Sequence, residues 1–377
     1  MTRVLINALH AKTGGGITYL RQMLPLLAAD PRLELHLIAH EDQRASLQPL
    51  DARVRFHAAR FRDGFVRTLL WEQIVLPWRA RAMRADVTFS PANFGPLAAP
   101  RPVIMLRNAL GVAAHDDRPA KRIYWRVLGW MTALSLLTCR RAIAVSGYAR
   151  QTLAGGFAGK VEVIPHGVDD AFRKIARAPG ESPYLLAVGD IYVQKNLRTL
   201  LAAFMRVRAA RPELRLKIAG RAVDADYAAL VRGDAARLGV ADATDFLGTV
   251  PRETLMELYA GCSVFVFPST VETFGQPLVE AMAAGAPVAC ANTAAMPEIA
   301  GDAAQYFDPL DAAAMADRVL ALLNDPMLAA RSSAAGRRRA QAYSWPETAR
   351  RTADVLLAAA GTKAAAGEAA MLAPRER

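Results

Sequence analysis

The sequence predicts an α/β protein of two doubly wound parallel sheets facing each other across a cleft. Three observations carry that prediction. Short unbroken apolar runs, typical of strands buried on both faces, alternate along the chain with segments whose apolar residues recur at helical spacing. Strand-to-helix loops rich in glycine or carrying lysine occur in both halves, and open sheets bind ligands at that carboxyl edge. A polar connection over 173–183, bearing Pro and Gly but no apolar period, divides the chain. The expected organisation is therefore an N-terminal Rossmann-like domain over 1–172, a linker over 173–183, a C-terminal Rossmann-like domain over 184–345 and a helix over 346–360. An Ala-rich tail over 361–377 follows, where disorder is expected.

Taken in order, Val4–Leu9 reads as the first strand and His10–Gly16 as a loop with three consecutive glycines. Ile17, Leu20, Leu24 and Leu27 share one face of a helix over Ile17–Ala29. Gly14, Gly15 and Gly16 let backbone N–H groups face a phosphate or sugar at that helix start. No Gly-Lys-Ser/Thr follows, so this is not a P-loop. Leu33–Ala39 is a second strand, Phe61–Ala85 a basic helix rich in Trp and Leu, and Asp86–Ser90 a strand leading into the turn PANFGP. Val103–Leu106 is a strand that ends at Arg107-Asn108. Lys121–Arg141 holds 13 uncharged residues between Arg126 and Arg140, too few for a membrane span of about 20. Its basic ends and two tryptophans fit an interfacial helix, and a core helix fits equally well. Ala142–Val145 and Val161–Gly167 are the remaining strands of this half.

In the second half Tyr184–Gly189 is a strand and Asp190–Lys195 a loop. Asn196 reads as the cap of a helix with Leu197, Leu200, Leu201, Phe204 and Val207 on one face. Lys195, just before that helix, is placed to meet a phosphate, because its charge and the free N–H groups act together. The strand Leu214–Gly220 puts Arg221 at its carboxyl end, and another strand ends over Phe246–Val250. The helix Leu255–Cys262 then leads into the most informative stretch, Ser263–Asn292. Its apolar run Val264–Phe267 is a buried strand stopped by Pro268 and Ser269. Pro277 opens a helix, which Gly285 and Pro287 end, and Pro287–Cys290 is the next strand. Glu272 falls on the loop and Glu280 in the first helical turn. Phe274-Gly275 allows close backbone approach to a ligand, and the N–H groups after it can hold an anion. An ionised carboxylate accepts two hydrogen bonds from a diol, so ribose suits Glu280 and sugar hydroxyls suit Glu272.

Glu272-Thr-Phe-Gly-Gln-Pro-Leu-Val-Glu280, followed by AMAAGAPV, resembles the E-x7-E signature of retaining GT-B glycosyltransferases, family 4 in particular. The segments WEQIVLP, ADVTFSPANFGP, VSGYAR, VEVIPHG and VGDIYVQKN are also similar to family segments, and the resemblance is strongest over 184–308. It implies that Glu272 contacts the donor sugar, Glu280 the nucleotide ribose and Lys195 the diphosphate. Gly15 and Gly16 would border the cleft, Phe274, Gly275 and Gln276 would form the nucleotide-facing helix start, and backbone near Val250 would hold the base. The helix over 346–360 would cross back to the first domain. Two departures matter. Where many members carry His-Asp, this chain has Arg107-Asn108, suited to a phosphate and a sugar hydroxyl; His115-Asp116, a few residues on, is the other candidate. Asp190 stands where the family often has Arg, which leaves Arg107 or Arg221 to supply the missing cation. Glu298 reads as a structural or capping acid. The resemblance implies no metal and no cofactor beyond the nucleotide-sugar substrate.

The net charge of +12 is unevenly placed. Residues 1–180 carry 26 Lys/Arg and 13 Asp/Glu, giving +13, and the remainder 21 and 22, giving −1. No recognition-helix, zinc or aromatic-basic motif supports a nucleic-acid partner. An anionic membrane surface or anionic lipid-linked acceptor fits the excess, as does an Arg-rich solvated face. Three cysteines without metal-ligand spacing argue against a disulfide framework and for a reducing cytosol. MTRVLINALH reads as a strand rather than a signal peptide. The expected activity is metal-independent retaining transfer of a sugar from a nucleoside-diphosphate-sugar to a glycan or lipid-linked glycan, in cell-surface polysaccharide synthesis. The expected location is the cytoplasm, at the inner face of the membrane. A GT-B sugar-nucleotide epimerase and a catalytically lapsed nucleotide-sugar-binding subunit share the architecture and stay open as alternatives.

Overall fold

Segments that are apolar on both faces become central strands of two all-parallel sheets. The computed structural model describes residues 1–12, 14–115, 118–178, 180 and 182–361. The first sheet holds β1 (Thr2–Asn7), β2 (Leu33–His40), β3 (Val54–Ala59), β4 (Val87–Ser90), β5 (Pro102–Leu106), β6 (Arg141–Ala144) and β7 (Val161–Val163), in the order β3-β2-β1-β4-β5-β6-β7. The second holds β8 (Tyr184–Val188), β9 (Arg215–Ala219), β10 (Thr244–Gly248), β11 (Val264–Phe267), β12 (Val288–Ala291) and β13 (Ala304–Phe307), in the order β10-β9-β8-β11-β12-β13. Every residue of β5, β11 and β12 is buried, as parallel strands covered by helices on both faces should be.

The order reverses between β1 and β4 in the first sheet and between β8 and β11 in the second. At such switch points adjacent loops diverge to opposite faces and leave a crevice at the carboxyl edge. The glycine loop follows β1, the Lys195 loop follows β8 and the Glu272 loop follows β11. Topology alone thus puts three of the expected ligand loops at crevices.

Several elements differ from expectation. Strand β3 was not expected; its sequence VRFHAA interleaves charged and apolar residues, and it lies at a sheet edge where one face stays partly solvated. The basic helix is shorter, Phe65–Ala82, because Gly64 precedes it at φ 151° and Arg84 turns left-handed at φ 53° after it. Asn196 occupies the N-cap position of the helix Leu197–Ala210 but accepts no backbone N–H. Its amide instead donates to the carbonyls of Pro268 and Pro309, at 3.1 and 2.6 Å. The expected tail, 361–377, lies outside the described residues apart from Gly361.

The last helix, Trp345–Ala360, packs on the first sheet's side of the molecule. Thr348 Oγ1 donates to the Pro165 carbonyl (2.7 Å), and Arg351 binds Glu162 and the Val163 carbonyl, both at 2.9 Å. The chain re-enters this half beside Gly167, where a Cβ would fall 2.1 Å from the Trp345 nitrogen, so only glycine permits the approach. Cys139, Cys262 and Cys290 are free and buried.

Candidate active site

The second sheet supplies one wall. After β11, the loop ends at Gly275, whose φ of 83° is a left-handed conformation that disfavours other residues. Gln276 is already helical there, so the helix Gln276–Ala284 starts one residue before Pro277. Glu280 therefore sits in the second turn, not the first, and contributes no first-turn acid. Lys195 ends the short turn Val193–Lys195, and its Nζ lies 2.5 Å from Glu272 Oε1. The Thr270 N–H donates to the Gln194 carbonyl (2.9 Å), which locks the two loops together. Lys195 and Glu272 are mostly buried but reach solvent, so their pair is available to a ligand.

The first sheet supplies the other wall. Asn93 Oδ1 accepts the N–H groups of Arg107 and Asn108, both at 2.8 Å, and its amide donates to the Asn108 carbonyl. This clamp aims the Arg107 side chain at the glycine loop, where Nη2 is 3.1 Å from the Cβ position of Gly15. Its guanidinium stacks 5.8 Å from the Tyr19 ring and has no acid partner among the described residues. Burial lowers its affinity for the proton. His166 packs edge-on to Phe274 and beside the Tyr19 and Trp345 rings, with Nδ1 unpartnered. Burial, with Arg107 nearby, keeps its imidazole well below the usual protonation range and hence neutral.

The two walls meet in a cavity of about 130 Å³ lined by Gly15, Arg107, His166, Glu272, Gly275 and Gln276, among others. Hydrogen bonds tie its rim. Ser146 Oγ donates to the Thr273 carbonyl (2.5 Å), Thr273 Oγ1 donates to the Arg107 carbonyl, and Gln276 Nε2 donates to the Gly167 carbonyl (2.9 Å). Phe274 also lines it, but its ring is buried against His166 and Tyr343, which leaves its backbone for a ligand. Gly16 and Asn108 line an adjoining cavity of about 300 Å³ on the first wall, shared with Gly15 and Arg107.

Lys195 reaches the cleft cavity only through Glu272, and Arg221, Val250 and Glu280 do not line it. Arg221 is exposed and paired with Asp190 (3.1 Å), which also accepts its N–H. The cation expected to compensate for Asp190 is thus neutralised by Asp190 itself. Val250 packs partly buried against the core just after β10. Glu280 accepts from the Tyr259 hydroxyl (3.1 Å), and burial pushes its carboxyl up to about 7 against the pull of that bond and of Arg252. His115 ends a 3-10 turn, Leu110–His115, and Asp116 lies outside the described residues. Glu298 accepts the N–H groups of Gly147 (2.7 Å) and Tyr148 (2.9 Å), capping the helix Gly147–Leu153.

Sequence reasoning missed a buried polar group beneath the first wall. Glu72, fully buried, accepts from Asn7 Nδ2 and lies 3.0 Å from His10 Nε2, while Asn7 also donates to Ser90 Oγ (3.1 Å). His10 faces the 300 Å³ cavity. The segment WEQIVLP, which holds Glu72, is similar to a family segment, but nothing in its spacing points across 62 residues to His10.

Comparison with known proteins bears on this geometry. A family model described as Glycosyltransferase Family 4 matches residues 13–172, and one described as Glycosyl transferases group 1 matches 168–339. The chain belongs to glycosyltransferase family 4. Its two parallel α/β sheets are the family's GT-B fold. O-antigen chain mannosyltransferase B of Escherichia coli is 36% identical over 166 residues, 43% of this chain and 42% of that protein. Matches of this kind span about half the length of the curated relatives. Sucrose-phosphate synthase of Thermosynechococcus elongatus superposes with a TM-score of 0.75 at 20% identity, covering 94% of this chain and 98% of that one. The HepE protein of Anabaena, solved in complex with UDP-glucose, gives 0.75 at 18% identity over 95% and 100%. At such identities the likeness shows the fold.

Proposed function

We propose that this family 4 chain is a metal-independent, retaining hexosyltransferase. It moves a sugar from a nucleoside-diphosphate-sugar to a glycan or lipid-linked glycan, in cell-surface polysaccharide synthesis on the cytoplasmic side of the membrane. The observation that carries the reading is the Lys195–Glu272 pair beside the helix start at Gly275, opposite Gly15 and Arg107. Its support among relatives is the O-antigen mannosyltransferase and the nucleotide-sugar held by the Anabaena neighbour.

A departing diphosphate develops negative charge, and preorganised positive potential lowers that barrier. Lys195, Arg107 and the N–H groups of Gly275 and Gln276 supply it in this reading, with Gly15 and Gly16 closing over the same phosphates. When Lys195 turns to phosphate, Glu272 is released to accept hydroxyls of the donor sugar. Asn108 holds a further hydroxyl on the first wall. Glu280, ionised above about 7, accepts the ribose diol, and backbone near Val250 meets the base. Arg221 joins the diphosphate only if it leaves Asp190. Among the described residues no helix is long and apolar enough to cross a membrane.

The test is to mix purified protein with UDP-, GDP- and dTDP-sugars and a lipid-linked glycan extract, and to follow released nucleoside diphosphate together with glycosylated product. Transfer in step with nucleotide release is expected. Donor binding without turnover would instead identify a lapsed binding subunit, and sugar isomerisation without acceptor modification an epimerase.

A further inference from the structure

The helix Phe65–Ala82 leaves Val66, Leu70, Ile74 and Trp78 exposed, four residues apart, along one side. The helix Pro119–Thr138 does the same with Ile123, Val127, Trp130 and Leu134, at spacings of four, three and four. The two tryptophans are 68% and 73% exposed, and contiguous exposed apolar surface marks protein or membrane interaction sites. The helices are neighbours, since the Phe65 and Tyr124 rings meet edge to face at 5.5 Å. The two exposed stripes thus sit on helices that touch at this ring pair, and together they offer an apolar face on the first half of the molecule.

The charges on and beside the two helices are mostly positive, and Asp63, exposed before the first helix, is paired with Lys12. Residues 119–141 contain Lys121, Arg122, Arg126, Arg140 and Arg141 and no acid, and all five are exposed. The one acid of the helix Phe65–Ala82, Glu72, is buried inward. Exposed Arg62, Arg67 and Arg81 stand beside it without an acid partner among the described residues. A second copy of this chain docked on the same face would bring these cations together. An anionic bilayer would neutralise them, and apolar stripes with basic borders suit burial at the headgroup level.

The 300 Å³ cavity opens at the edge of this face. Phe65, Tyr124 and Leu128, from the two helices, line it together with His10, Arg107 and Asn108. The pocket thus has an apolar outer rim continuous with the exposed stripes and a polar inner end beside the cleft. We propose that this two-helix face docks on an anionic membrane and that the pocket takes the polar head of a lipid-anchored acceptor, whose hydrocarbon stays in the bilayer. The acceptor half of this inference rests on the glycosyltransferase reading; the docking half does not.

The full chain is tested by flotation with vesicles of neutral lipid alone and with about a third anionic lipid. Recovery about tenfold higher on the anionic vesicles is expected, with quenching of tryptophan emission by brominated lipid. Trp78→Glu/Trp130→Glu should abolish both, and Arg122→Gln/Arg126→Gln should remove the preference for anionic lipid. Unchanged circular dichroism and nucleotide binding would show these surface variants folded. Equal recovery on both vesicles, wild-type flotation of the tryptophan variant, or a dimer that this variant dissociates would each overturn the docking. With a lipid-linked glycan extract in vesicles, the tryptophan variant should lose transfer at least tenfold yet consume donor normally with a water-soluble oligosaccharide. Equal loss on both acceptors would overturn the acceptor assignment. Absence of any donor use by wild type, with flotation intact, would sink the transferase reading and leave the docking standing.

Discussion

The two walls of the cleft treat charge differently. On the second wall each cation already faces an acid: Lys195 pairs with Glu272 and Arg221 with Asp190. On the first wall Arg107 is desolvated and faces none among the described residues. A half-buried guanidinium without a counter-ion is costly, so in the proposed reading a diphosphate entering the cleft would relieve the first wall. On the second wall it must displace a carboxylate. Exchange there is productive, because the displaced Glu272 is the group proposed to hold the sugar. Anion binding and sugar binding are then one event.

The largest effect should come from breaking the paired wall. Lys195→Ala and Glu272→Ala should each lower turnover by about 10²–10³-fold or more, the scale for losing one preorganised stabilising group. The two differ in binding: Lys195→Ala should weaken nucleoside diphosphate, whereas Glu272→Ala frees Lys195 and should leave that affinity unchanged or tighter. Calorimetry with the nucleotide alone separates them, and full activity in both variants would remove the assignment. Arg107→Ala should follow, with nucleotide binding about 10²-fold weaker, since a partly desolvated charge contact to an anion is lost. Arg107→Lys should restore part of it, as a point charge without the bidentate fork. If Arg107→Ala binds as wild type, the contrast between the walls has no functional meaning.

Glu280 gives a smaller, pH-dependent effect. Its carboxyl is raised to about 7 from an ordinary 4.5, so the folded protein holds a proton that the unfolded chain releases. Below about 4.5 both states are protonated and stability is unaffected. As pH rises from there to about 7 a penalty builds, and above it the penalty is complete. Glu280→Gln should therefore raise the melting temperature by a few degrees at pH 8 and leave it nearly unchanged near pH 4.5. Nucleotide affinity of the wild type should increase through pH 7, as the carboxylate becomes able to accept the ribose diol. A variant whose melting gain is the same at both pH values would contradict the raised carboxyl.

Much of this site was legible because its parts are local. The run Val264–Phe267, the Gly275 turn and the helix behind it fall within about twenty residues, and each has its own signal in spacing or glycine placement. The topology then brings Lys195 to Glu272 across 77 residues, which the family likeness implied through shared ligand roles. What stayed hidden depends on partners distant in sequence. Asp190 neutralises Arg221 across 31 residues, and Asn93, never singled out, is what fixes Arg107 and Asn108. The one-residue shift at Gln276 moved Glu280 out of the first turn, because a left-handed glycine lets a helix begin earlier than its proline suggests. Strand β3 was missed for a related reason: an edge strand is not obliged to be apolar on both faces.

The smallest effect tests whether an acid at the rim is structural while its neighbour in the cleft is chemical. Glu298 receives two otherwise orphan N–H groups, from Gly147 and Tyr148, at the start of a helix on the first half. Ser146 Oγ takes a third, from Ala149 (2.9 Å). Losing the carboxylate exposes two donors to water and removes a favourable charge from a helix N-terminus, a cost of about 1 kcal/mol. Because Glu298 lies on the second half, the bond also ties the halves together near the cleft. Glu298→Ala should therefore lower the melting temperature by about 1–3 °C, with Glu298→Gln recovering part of the loss through its remaining acceptor. Turnover at saturating donor should stay within about twofold of wild type, since Glu298 caps a helix and lines neither cavity described above. A loss of activity on the scale of Glu272→Ala would place Glu298 among the reacting groups and erase the distinction between the two acids.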